Sequence, residues 1–207
     1  MTVISPDLFE YDDYIKTYLV ANNISTAIVS SSNKTAFNQL AAGLSQKGIR
    51  TELLLGNNSL LMNTNQVVYL DNVFSGIDTR NITALHLDVE PQTFADYHTR
   101  KEYYLNLYVQ LLKTAKIYAV QKGIKLAVDI PVYWPEATLK EIYKQADTVY
   151  LMAYEITDVD SLKRRTKEEF AFGKEKTVLS LRANDFATRT AFETYLTQAM
   201  MKLGTSK

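Results

Sequence analysis

The chain has 207 residues, 46% of them hydrophobic and 22% charged, and its 23 basic and 23 acidic side chains cancel to a formal net charge of zero. That balance excludes a general polyanion binder, nucleic acid included, and no apolar run is long enough for membrane insertion. The absence of cysteine excludes disulfides, thiol nucleophiles and thiolate-held metals, and fits a bacterial protein of any compartment.

Thr2 to Ser5 is a short β-branched run, stopped by Pro6, that reads as a first strand. The first 14 residues carry neither a basic n-region nor an apolar h-region, so no signal peptide is expected in this numbering; an extracytoplasmic address would require one removed beforehand. Asp7 offers an N-cap for a helix reaching about Asn22, with Leu8, Tyr11, Ile15, Tyr18 and Leu19 at helical spacing. Ile24 to Ser30 follows as a short buried strand, then a helix over Thr35 to Gln46 that ends at Lys47-Gly48. Arg50 to Leu55 is the next strand and leads into the loop Gly56 to Ser59. Thr64 is placed to cap a helix over Asn65 to Ile77.

The stretch Ile82 to Pro91 holds the most information. Leu85, Leu87 and Val89 alternate with His86, Asp88 and Glu90, so a strand here presents an aliphatic face and a face with an imidazole and two carboxylates. Pro91 closes the strand directly after the second acid. Beyond it, Thr93 to Gly123 reads as a long helix or two, rich in Tyr and Leu. Ile124 to Pro131 is a strand that again ends in an acid, Asp129, and a proline. A helix from Pro135 or Glu136 to Gln145, a nearly apolar strand over Asp147 to Tyr154, a helix over Ser161 to Phe172, a strand over Thr177 to Arg182 and a helix over Thr188 to Leu203 complete the chain.

Strand and helix alternate from Ile24 onwards with short connections, which implies parallel strands joined by right-handed crossovers and covered on both faces. No Pro/Gly/Ser-rich linker divides the chain, so residues 1–207 are expected to form one domain. A closed eight-stranded barrel takes about 250 residues. The fold expected here is therefore α/β and TIM-barrel-like, shortened or open, with six to seven parallel strands; a doubly wound sheet is the alternative. No glycine-rich phosphate loop follows any strand, which weakens a nucleotide-binding version, and no cofactor is expected. His86 and His98 lack metal-ligand spacing, so no metal site is expected either.

Glu90 falls at the C-terminal tip of its strand, where parallel barrels carry catalytic groups. The string L-H-L-D-V-E-P, with Y-L-M-A-Y-E two strands later, resembles the chitinase-type (β/α)8 glycosidases, whose fourth strand reads D-x-x-D-x-D-x-E and whose sixth reads M-x-Y-D. On that pattern Glu90 falls on the catalytic acid and Asp88 on the neighbouring aspartate, while His86 and Thr83 replace the two earlier aspartates. Met152 and Tyr154 match the later motif, with Glu155 where the family has Asp. The chain is also similar, over most of its length, to bacterial glycosidase-like barrels with G-I-H-L-D-V-E-P, V-D-I-P, M-A-Y and G-V-E-T strands. Ser180-Leu181-Arg182-Ala183 stands in place of the last, so Arg182 occupies the position of a second glutamate.

The resemblance implies acid-catalysed cleavage of a polysaccharide or amino-sugar oligomer, with Glu90 as proton donor and Asp88 as its helper. The family uses the substrate's acetamido group as nucleophile, so a second carboxylate is not required; if one were, Asp129 and Glu155 are available. Tyr154, Tyr133 and Trp134 would supply hydrogen bonds and stacking faces, in a chain rich in aromatic residues, with 14 Tyr and 8 Phe. The competing expectation is a barrel that keeps a carbohydrate cleft without turnover, or one with a structural role whose open edge is covered by a second copy or a protein partner. On that view His86, Asp88, Asp129 and Arg182 form a buried polar network that serves folding alone.

Overall fold

The computed structural model describes residues 2–4 and 12–204. The chain divides into two compact units, Met1–Val128 and Asp129–Lys207. The first contains β1 (Thr2–Ile4), α1 (Asp12–Ala21), β2 (Thr26–Val29), α2 (Lys34–Gln46), β3 (Arg50–Leu55), α3 (Gln66–Phe74), β4 (Ala84–Leu87), α4 (Lys101–Gln121) and the start of β5 (Lys125–Pro131). Its strands pair in chain order and always in parallel, with Ile28 opposite Glu52, Leu53 opposite Leu85 and Leu85 opposite Leu126. All four residues of β2 and all four of β4 are buried, as expected when helices cover both faces of a parallel sheet. Asn33 caps α2 by accepting from the Ala36 N–H, and the chain turns out of that helix through Gly48 at φ 73°.

The second unit contains α5 (Glu136–Gln145), β6 (Thr148–Met152), α6 (Val159–Arg165), α7 (Lys167–Gly173), β7 (Thr177–Ser180) and α8 (Arg189–Leu203). Here β6 and β7 run parallel, Leu151 opposite Leu179. The fold is thus α/β and TIM-barrel-like in its repeated β/α units, and among the described residues no strand follows β7. The strand bearing His86 is the fourth.

Several boundaries differ from those expected. β4 stops at Leu87, because its partner β3 ends at Leu55 and turns away into a 3₁₀ turn over Asn58–Met62; the last bond between them is Asp88 N–H to the Leu55 carbonyl, 3.0 Å. Asp88 and Glu90 therefore lie just beyond the strand. β6 and β7 likewise stop at Met152 and Ser180, short of Tyr154, Glu155 and Arg182. α3 is capped by Asn65, which accepts from Val68 N–H, in place of Thr64.

The helix expected from Thr93 begins only at Lys101. Residues 94–100 are held in turns by the Asp96 carboxylate, which accepts from the Tyr104 hydroxyl at 2.6 Å, and by Phe94 stacked on Tyr104 at 4.9 Å. The helix expected over Ser161 to Phe172 starts at Val159, capped by Asp158, and breaks at Thr166, whose hydroxyl donates to the Leu162 carbonyl. The expected cap Asp7 and the stripe positions Leu8 and Tyr11 lie outside the described residues.

Candidate functional site

In the first unit the chain leaves β4 through Asp88, Val89 and Glu90. Val89 is buried and the two acids are half-buried, so the alternation legible in the sequence continues past the last ladder bond. Glu90 is fixed by a neighbouring loop. Its N–H donates to Asn58 Oδ1 at 2.7 Å, Asn58 Nδ2 donates to Thr93 Oγ1 at 2.8 Å, and that hydroxyl donates to the Glu90 carbonyl at 2.7 Å. Its carboxylate accepts from Gln92 Nε2 at 2.7 Å, which sets the side-chain rotamer. Neither Asn58 nor Gln92 is expected from the sequence, since nothing local marks an amide in a polar loop as a support for an acid one strand away.

Below the pair, His86 is 0% exposed and its Nδ1 lies 2.7 Å from Glu52 Oε2. Glu52 sits opposite Ala84 and Leu54 opposite His86, so the two side chains share one face of adjacent strands. The bond joins the imidazole to the carboxyl group across the two strands. Glu52 has a sequence signal, a single acid inside the apolar run Arg50 to Leu55, but its partner depends on strand register.

In the second unit the candidates lie at or just after the ends of β5, β6 and β7. Asp129 is half-buried in β5. In the loop after β5, Tyr133 takes a left-handed φ of 81° and is 57% exposed, with the Arg165 guanidinium 5.3 Å from the ring centre. Trp134, expected as a stacking face, is instead 5% exposed and belongs to the core. After β6, Tyr154 is 42% exposed and lies under the Arg182 guanidinium at 5.6 Å, and Glu155 takes a second left-handed φ, 61°. Non-glycine residues in that region cost about 1–3 kcal/mol each and gather where a fold fixes function.

Asp185 holds this cluster together. Its carboxylate accepts the Glu155 N–H at 2.6 Å and Arg182 Nε at 2.7 Å, while Arg182 also donates to Glu155 Oε1 at 3.1 Å. The Glu155 N–H and then Arg182 hold the Asp185 carboxyl below the usual range, and Asp185 foremost raises Arg182. His86 is paired with Glu52, and Arg182 with Asp185 and Glu155.

The structure thus gathers His86, Asp88 and Glu90 at one strand end, and Tyr154, Glu155 and Arg182 in another cluster, with Tyr133 and Trp134 sharing a loop. The first group offers a proton donor beside a carboxylate, and the second offers exposed aromatic faces edged by hydrogen-bonding groups. Two grooves lie elsewhere. One, of about 940 Å³, includes Asp158, Phe186, Tyr195 and Lys202; the other, of about 530 Å³, includes Ser31, Leu54 and Tyr69, and neither contains a residue nominated above. Among the described residues no group of three or more His, Cys, Asp or Glu could hold a metal ion, and no helix is long and apolar enough to cross a membrane.

No protein-family model matches the chain, and no curated protein matches it in sequence. Solved structures do match it in fold. The C-terminal domain of a chitinase-type protein from Desulfitobacterium hafniense superposes with a TM-score of 0.62 at 8% identity, over 86% of this chain and 65% of that one. A chitinase from Chromobacterium violaceum gives 0.60 at 12% identity, over 86% and 67%. A plant class V chitinase mutant from Cycas revoluta, in complex with (GlcNAc)3, gives 0.59 at 12% identity, again over 86% and 67%. The chain spans about two thirds of the length of these structures, and at such identities the likeness is one of fold: that of glycoside hydrolase barrels.

Proposed function

We propose that the chain acts on an amino-sugar oligomer or related polysaccharide by acid catalysis, with Glu90 as proton donor and Asp88 as its helper. The observation that supports this most is the seating of the acid pair. Both residues sit just past the C-terminal end of the fourth strand, the position at which this fold carries its chemistry, and Glu90 is fixed in backbone and side chain by Asn58, Thr93 and Gln92. The substrate class is suggested by the (GlcNAc)3 bound to the Cycas revoluta enzyme of the same fold.

In the proposed reaction Glu90 gives its proton to the glycosidic oxygen as the bond to the anomeric carbon breaks. The acetamido oxygen of the substrate bonds to that carbon, and the Asp88 carboxylate accepts from the amide N–H and balances the positive charge that develops there. Water then opens the cyclic intermediate and returns a proton to Glu90. Tyr133 and Tyr154 supply stacking faces, and Arg182, Glu155 and Asp129 polar contacts.

A second reading is carbohydrate binding without turnover. Arg182 favours it, since this side chain stands where related barrels carry a glutamate and is engaged by Asp185 and Glu155. Hydrolysis of chitooligosaccharides and a panel of chromogenic glycosides, with wild type and Glu90→Gln side by side, separates the two. Under the catalytic reading the variant loses roughly 10²- to 10⁴-fold in kcat and keeps its affinity. Binding by both proteins with turnover by neither would establish the second reading.

A further inference from the structure

We infer that Asp185 is a positioning residue for one sugar-stacking tyrosine: by holding the backbone of Glu155 it fixes Tyr154, the preceding residue, with its ring set as a binding face. The proposal rests on the carbohydrate reading above and adds to it the device that sets one aromatic subsite. Around Tyr154 the chain is tied on both sides. The Ala153 N–H donates to the Ser180 carbonyl of β7 at 3.0 Å, the Glu155 N–H donates to Asp185 Oδ2 at 2.6 Å, and the Ile156 carbonyl accepts from the buried Tyr195 hydroxyl at 2.5 Å. Between these ties Tyr154 is 42% exposed, with the Arg182 guanidinium 5.6 Å from its ring centre. Glu155 needs such a hold, because its φ of 61° is a conformation that residues other than glycine keep only where their surroundings over-determine it.

Asp185 is placed to supply it. Its side chain is 9% exposed and that of Glu155 is 80% exposed, so the ion pair between Glu155 and Arg182 is largely screened by water and the Asp185 bonds carry the hold. One carboxylate oxygen takes the Glu155 N–H and the other takes Arg182 Nε, so a single group fixes both the backbone after Tyr154 and the cation beside its ring. Asp185 is itself fixed. It closes a 3₁₀ turn over Ala183–Asp185, after which the Phe186 N–H donates to the Ala183 carbonyl at 3.1 Å. The Phe186 ring packs against Tyr195 and Phe192 of α8, with ring centres 4.9 and 5.3 Å apart. Tyr195 thus supports the turn that carries Asp185 and also binds the residue after Glu155, and through both contacts α8 sets the loop after β6.

The experiment compares the wild-type chain with Asp185→Asn, whose amide oxygen still accepts the Glu155 N–H, with Asp185→Ala, with Tyr154→Ala, and with Asp185→Ala and Tyr154→Ala combined. Amide hydrogen exchange in a peptide spanning Glu155 reads the hold without any need for a substrate, and the affinity for tri-N-acetylchitotriose reads the binding face. The expected result is roughly tenfold faster exchange and roughly tenfold weaker binding in Asp185→Ala, with both close to wild type in Asp185→Asn. The combined variant is expected to bind no more weakly than Tyr154→Ala, because Asp185 acts through that ring. Unchanged exchange in Asp185→Ala would overturn the positioning role, and losses that add in the combined variant would overturn the route through Tyr154. Faster exchange in Asp185→Ala with no binding of the sugar by wild type would leave Asp185 as the residue that sets the loop and overturn the sugar reading of Tyr154. Should Asp185→Ala not fold, Glu155→Gly in the same chain is expected to rescue it, because glycine takes that φ without strain; failure of that double variant would also count against the proposal.

Discussion

Asp185 shows what one side chain contributes to this molecule. Its carboxylate fixes a strained backbone N–H and an arginine at once, and both donors favour the charged form, so its folded pKa lies below the unfolded value of about 3.9. A group depressed on folding stabilises the protein fully above the unfolded pKa, and that stabilisation is lost as pH falls through the folded one. Wild type is therefore expected to lose more stability than Asp185→Asn as the pH falls below about 5, as followed by urea denaturation at each pH. Parallel slopes would show that Asp185 titrates alike in both states. Residues of this kind were hardest to read from sequence. Asp88 and Glu90 announce themselves by alternation along one stretch of chain, whereas Asp185, Glu52 and Asn58 act on residues brought near only by the fold, and their own neighbourhoods in the chain look like ordinary loop or strand.

The elements were more legible than their ends. Arg50 to Leu55 and Glu136 to Gln145 fall where apolar spacing puts them, because periodicity and caps are local properties. The ends of β4, β6 and β7 depend on where the neighbouring strand turns away, which no local pattern encodes. The break between α6 and α7 is of the same kind: Thr166 satisfies a carbonyl of the preceding turn with its hydroxyl, an option any helical threonine has. α7 then ends at Gly173, packed against α5 so closely that a Cβ would lie 2.8 Å from Cδ1 of Tyr143. That ring is buried, and its hydroxyl is tied to Thr177, so it cannot easily give way. Gly173→Ala is expected to cost about 1–3 kcal/mol, read as a lower urea midpoint with an unchanged slope; a neutral substitution would show that α5 and α7 can part.

At the scale of the whole molecule, the division between the two compact units falls inside a strand, between Val128 and Asp129 of β5. A boundary within a strand is unlike the polar linkers that separate independent domains. We propose on this ground that the chain unfolds as one domain, and that Trp134 fluorescence, far-ultraviolet dichroism and a probe placed in the first unit give one coincident urea transition; separate midpoints would establish two domains. The β/α repeat was legible throughout because each repeat carries its own apolar pattern. The placement of Asn58 has a consequence for how such a chain could change over time or be re-engineered. Loops at the strand ends of a barrel are usually free to lengthen, shorten or be exchanged, and that freedom lets one scaffold host many chemistries. Here the turn after β3 reaches across to hold the backbone of Glu90, so an insertion between Leu55 and Asn58 would re-aim an acid that belongs to the next repeat. The third and fourth repeats are thereby bound to be inherited, or transplanted, as a pair.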